Sequence, residues 1–226
     1  MPGTKSFSTS SLITVPALLT LAITIVRLVG ELKHWPAPWF SNAAGGGGAL
    51  VGISWLPILF GPYFAVKLAG AGDRWASASR TFISIAIGIV CFVGGGFLVA
   101  SEFNRIGKPG AGLLMLVGFA LMLAAAFIAR SGWSALVNVL FAYAFAARIP
   151  VLIVMLVAMI GKWGTHYDAI SSSLANASFI QKFVYEAVLP QMTMWIGYTV
   201  LLGALTGAIA ALFVHQKSSS VAQQTA

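Results

Sequence analysis

Six stretches of this chain run for about 20 residues with almost no charged side chain, the length at which an α-helix crosses the hydrocarbon core of a bilayer. They cover residues 12–30, 50–69, 82–101, 111–129, 134–161 and 188–214. The expected fold is therefore an all-α integral membrane protein, a bundle of about six transmembrane helices forming one domain over residues 1–226, with several helices kinked by proline. Composition agrees: 59% of the 226 residues are apolar and only 8% are charged, against roughly a quarter charged in a soluble domain. The first run follows "MPGTKSFSTS" and continues to Gly30 without a small-residue cleavage site, so it reads as a retained span rather than a removed signal peptide.

The net charge of +8 does not point to nucleic acid, because the basic residues form no cluster on a soluble module. They punctuate the ends of the apolar runs, where anionic lipid headgroups attract each by about 1 kcal/mol. Six basic residues fall on each side of the membrane. Lys5, Lys67, Arg74, Arg80, Arg130 and Lys217 lie on the side of the termini; Arg27, Lys33, Arg105, Lys108, Lys162 and Lys182 lie on the other. The positive-inside rule is thus silent. The two long loops, "ELKHWPAPWFSNAAGGGG" and "KWGTHYDAISSSLANASFIQKFVYE", share a face and are expected outside, with both termini cytoplasmic in a bacterial inner membrane. The second half of the latter loop is read as a surface helix with Leu174, Phe179 and Phe183 towards lipid.

Glycines inside the runs favour close helix packing: Gly203 and Gly207 in "GALTG", the triplet in "CFVGGGF", and Gly88 four residues after Ser84. They serve packing within the bundle, or association with a membrane protein partner or a second copy. Cys91, the single cysteine, excludes an internal disulfide and reads as an apolar filler.

The run 134–161 holds an arginine and a proline two residues apart, Arg148 and Pro150. At 1.5 Å per residue Arg148 is about 20 Å from either end, too deep for its head group to reach water along the helix. A central arginine costs at least about 2.5–3.5 kcal/mol, so it should face protein or a water-filled cavity. Pro150 frees the carbonyl of Ala146, leaving a polar notch beside the guanidinium. Counting along an antiparallel neighbour places Trp195, Tyr198 and Thr199 at the same depth. Two roles stand open: a structural bridge to the freed backbone and these side chains, or a counter-charge for an anionic solute or lipid headgroup. Prolines also interrupt other runs (Pro57, Pro62 and Pro190), and span two would correspond to span five if the chain were two inverted halves, as in some transporters.

Catalytic and cofactor machinery is not expected. His34, His166 and His215 lie in loops or at a span end, which disfavours bis-histidine haem ligation. There is no HExxH zinc motif, no mid-span carboxylate and no lysine in the sixth run. One set remains for a metal or acid–base chemistry: Glu31, His34, His166 and Asp168, two imidazoles and two carboxylates on loops of one face. The alternative is that these are solvated loop residues beside an interfacial belt of Trp35, Trp39, Trp163 and Tyr167.

The stretch "GFALMLAAAFIARSGWSALVNVLFAYAFAARIP", residues 118–150, resembles the middle of bacterial Yip-type multi-pass membrane proteins, in which a span, a small glycine-containing turn and an alanine–tyrosine-rich helix lead into a proline. The resemblance implies a non-enzymatic bundle engaged in membrane organisation or trafficking, and it carries no functional residue across. The leading expectation is a membrane scaffold or accessory subunit that binds other membrane proteins or lipids. The other is a small transporter for an anionic or amphipathic solute, built around Arg148.

Overall fold

Helix α1 begins where Ser8 can cap it: its hydroxyl accepts from the Ser11 amide at 3.2 Å, satisfying one of the donors a helix start leaves unpaired. The computed structural model describes residues 8–46, 48–75, 77–103, 105 and 112–224, with side chains as far as Phe213. Lys5, Lys108, the side chains of His215 and Lys217, and most of the third loop lie outside the described residues.

The described chain is helical throughout its regular structure. The helices are α1 (Thr9–Leu32), α2 (Leu56–Gly70), α3 (Ala78–Phe103), α4 (Leu113–Ala129), α5 (Ser134–Gly161) and α6, which starts at Phe179 and runs on to Gln224. Four of them contain a stretch long and apolar enough to cross a membrane: Thr9–Leu32, Ala78–Phe103, Ser134–Gly161 and Phe179–Phe213. The other two are shorter. At 15 and 17 residues, α2 and α4 reach only about 23 and 26 Å.

Two boundaries differ from those read in the sequence. Residues 50–55 form turns and bends, and α2 begins at Leu56 with Pro57 in its first turn. There a proline fits, since its missing N–H has no partner to lose. The sixth helix begins nine residues before 188. Ser178 and Gln181 form a reciprocal capping box, and the helix then passes through two π segments, Val184–Val188 and Pro190–Met194. In them the Leu189 N–H donates to the Val184 carbonyl and the Trp195 N–H to that of Pro190, each five residues back. The wider winding absorbs Pro190 without ending the helix. The expected surface helix is the first part of α6 itself, with Phe179 exposed, whereas Leu174, expected towards lipid, is fully buried in a short 3-10 turn, Ser172–Leu174.

Glycines set the closest contacts. A Cβ added at Gly61 on α2 would run into the Gly203 carbonyl on α6, and one at Gly207 would lie 2.8 Å from the Gly61 carbonyl. Gly95 and Gly118 oppose each other in the same way across α3 and α4, each Cβ meeting the other's carbonyl at 2.6 Å. Helix α5 packs against α1, α2, α4 and α6. Its core includes Leu136, Leu140, Tyr143 and Ala144, and the Tyr143 hydroxyl meets Thr20 of α1 at 2.9 Å. Large apolar side chains such as Val90, Phe97, Ile160 and Phe213 point outwards.

Candidate functional site

The ends of α1, α3 and α5 and the starts of α2, α4 and α6 meet on one side, capped by loops 33–55 and 162–178. Beneath these loops is a cavity of about 390 Å³. Its floor is Arg148. From there α5 contributes Val151 and Met155, spaced three and four residues apart so that they share a helix face. Opposite, the π-wound start of α6 turns Glu186, Gln191 and Trp195 inwards. Such windings recur at functional sites because they redirect side chains within a helix. Gly45, Gly48, Ala49 and Gly52 of the first long loop also line the cavity, as do Thr24 and Arg27 of α1, Val99 of α3 and Phe119 of α4.

Arg148 is only 4% exposed, and its guanidinium carbon sits 4.6 Å from the centroid of the Trp195 ring. This is cation–π stacking, and it realises the depth matching read in the sequence. The rest of the expected bridge does not form. Among the described residues no carboxylate pairs with Arg148, and its Nε has no hydrogen-bond partner. Pro150 is half-buried outside the cavity lining. Tyr198 makes an edge contact with Trp195 at 5.5 Å rather than a bond to the guanidinium. Thr199 is buried with its hydroxyl unpartnered. A second polar group in the lining is also left open: Gln191, 7% exposed, has no partner for its Oε1.

Nearer the loops, Glu31 is 1% exposed and acts as a latch. It accepts from Arg27 Nε at 2.8 Å, one helical turn back, and from the backbone N–H of His166 at 2.8 Å. The His166 ring meets it through Nδ1, and with Glu31 ionised the neutral ring donates there. Arg27 also reaches the Ser41 carbonyl at 3.3 Å, and Asn42 donates to the Gly164 carbonyl at 2.7 Å. These contacts join both long loops to α1. Burial holds the His166 imidazole below its ordinary pKa, although its hydrogen bond to Glu31 pulls the other way. Burial likewise raises the pKa of the neighbouring Tyr167, whose hydroxyl donates to the Thr24 carbonyl at 3.3 Å.

The four residues considered for a metal do not converge. Glu31 and His166 meet, but His34 is exposed in a left-handed conformation with φ 53°. Asp168 turns back on its own loop, accepting from the Gly164 and Thr165 amides at 2.8 and 2.7 Å and from the Thr165 hydroxyl at 2.7 Å. Among the described residues no three His, Cys, Asp or Glu side chains are grouped to hold a metal ion. What the pair does instead is fasten a loop.

Sequence reasoning missed Arg27, Glu186 and Gln191. The i,i+4 spacing of Arg27 and Glu31 was a usable signal. Gln191 and Glu186 had none, since an α-helical count does not foresee the π winding that aims them inwards. No protein-family model, curated protein or solved structure matches the chain.

Proposed function

We propose that this chain is a multi-spanning membrane protein that binds a small anionic, partly apolar solute in the cavity floored by Arg148. Support for the membrane setting comes from four helices long and apolar enough to cross and from the large apolar side chains they turn outwards, which water would not tolerate in such density. The shorter α2 and α4 complete six crossings by local thinning of the bilayer or tilt of their neighbours. With the termini cytoplasmic, the cavity faces the exterior.

The observation that carries the solute reading is the unpaired guanidinium. A buried charge without a counter-charge or hydrogen bonds costs several kcal/mol, and intramembrane ionisable groups are kept where they do work on a solute or ion. Here the charge borders a cavity of a size that holds small molecules, walled chiefly by apolar and aromatic side chains. A scaffold or accessory-subunit role has weaker support. Gly61, Gly203, Gly207, Gly95 and Gly118 all face neighbouring helices inside the bundle, so those small-residue faces are not offered to a partner.

Native mass spectrometry of gently solubilised wild type and Arg148→Gln tests the proposal. An anionic small molecule retained by the wild type and missing from the variant is the expected result. The same molecule on both, or a stoichiometric protein partner on both and no small molecule, would overturn it.

A further inference from the structure

The cavity carries a second charge that the anion reading leaves unused. Glu186 lines it from the α6 side, nearer the loops than Arg148. Its Oε1 takes both contacts from Ser171, the backbone N–H at 2.9 Å and the hydroxyl at 2.5 Å. Among the described residues, no basic side chain pairs with it. The other charged lining residue, Arg27, is paired with Glu31. Between Glu186 and the floor stands Gln191, more than nine-tenths buried, with its carbonyl oxygen unpartnered. From floor to mouth the wall therefore reads cation, neutral acceptor, anion.

We infer that the ligand is a zwitterion, its acid group on Arg148 and its ammonium on the Gln191 oxygen and the Glu186 carboxylate, with an apolar body between. This rests on the reading of the cavity as an anion site. Position along α6 sets the length. The guanidinium stacks on Trp195, which is four residues from Gln191 and nine from Glu186, or at most about 6 and 13.5 Å along the axis, since the π winding of these residues rises less than the 1.5 Å per residue of an α-helix. An α-amino acid, whose charges sit on neighbouring carbons, cannot reach both ends. An ω-amino acid or a short peptide can. The apolar lining between the ends, with Val151 and Met155 of α5 facing Met194 of α6, suits the methylene or side-chain body of such a molecule. Each end would then replace water lost on entry: an unpaired donor at the floor meets an acceptor, and two acceptors above meet a donor.

Three probes separate this inference from the reading beneath it: 6-aminohexanoate, its isomer norleucine with the amine beside the acid, and hexanoate with no amine. Their affinities for the full-length protein in mild detergent are read by calorimetry. The wild type should bind 6-aminohexanoate at least about tenfold more tightly than either of the others, because a charge pair formed in a desolvated site discriminates strongly. In Glu186→Gln, where the amide oxygen still accepts from Ser171, that advantage over hexanoate should disappear; in Gln191→Leu it should shrink. Hexanoate binding as well as 6-aminohexanoate, with the Glu186→Gln variant unchanged in its preference, would overturn the zwitterion and leave the anion site standing. Failure of every probe, hexanoate included, would overturn the anion site itself and the zwitterion with it.

Discussion

Replacing Glu31 by alanine removes a carboxylate that holds three donors from two parts of the chain. The backbone N–H of His166 is then buried without a partner, at about 1–3 kcal/mol. Arg27, 8% exposed, loses its counter-charge; breaking a buried pair from one side costs about 3–5 kcal/mol. The two costs do not add in full, because Arg27 keeps the Ser41 carbonyl and the loops can relax. A loss of about 3–5 kcal/mol is the working value. For a chain of this length each kcal/mol moves Tm by about 2–4 °C, so Tm should fall by about 6–20 °C. Glu31→Gln keeps an acceptor and should lose about half as much. Near-UV circular dichroism during heating in mild detergent measures Tm, and hydrogen exchange at the His166 amide reports whether the loop itself is released. A Glu31→Ala protein melting within about 2 °C of wild type, with that amide still protected, would refute the latch.

Gly61→Ala should destabilise by about 1–3 kcal/mol, since the added methyl meets the Gly203 carbonyl and overpacking a tight contact forces backbone shifts. Gly94→Ala, where nothing lies within 4 Å of the new Cβ, should instead be neutral or gain up to about 1 kcal/mol of helix propensity; equal behaviour of the two variants would contradict the packing described. Because burial holds His166 below the ordinary histidine value of about 6.5, the unfolded chain takes up that proton first as pH falls. The contribution of His166 is thus complete above about pH 6.5 and lost as pH drops towards the folded pKa. Tm should decline on acidification through that window in the wild type, and more steeply than in His166→Asn. A wild-type Tm that rises or stays flat relative to the variant contradicts this assignment.

The helices were legible wherever a run was uniformly apolar, because the bilayer-length signal needs only composition. Boundaries failed where composition misleads. "LVGIS" at residues 50–54 is apolar but bent, Gly52 and the turns serving to cover a cavity rather than to extend α2. "FIQKFVYE" is polar enough to read as a separate surface helix, yet it is the start of α6. Its polar side chains include Glu186, which faces the cavity rather than lipid. The signal that would have corrected this, Ser178 with Gln181 as a capping box, is present in the sequence. Arg148 was legible as a charge that must face inwards, and Trp195 followed from counting depth. The absence of any bond to Thr199 or Tyr198 was not legible, since hydrogen bonding depends on rotation about the helix axis and not on depth alone. Glu31 and His166 were rightly set on one face. Their role as a loop latch became visible only once Arg27 and the His166 backbone were in place.

On the function proposed, Arg148 is held unpaired at a cost, for the sake of an anion. Thermal melting of wild type and Arg148→Met, each stripped of ligand and then titrated with hexanoate, tests this most directly. Replacing a buried charged group by an apolar side chain of similar volume is often neutral or stabilising, so the stripped variant should melt at or above the wild-type temperature. Hexanoate at about 100 times its Kd should stabilise the wild type by about 2.7 kcal/mol, or about 5–11 °C, and leave the variant unmoved. A stripped variant that melts well below the wild type, together with a wild type indifferent to hexanoate, would make Arg148 a structural residue and not an anion site.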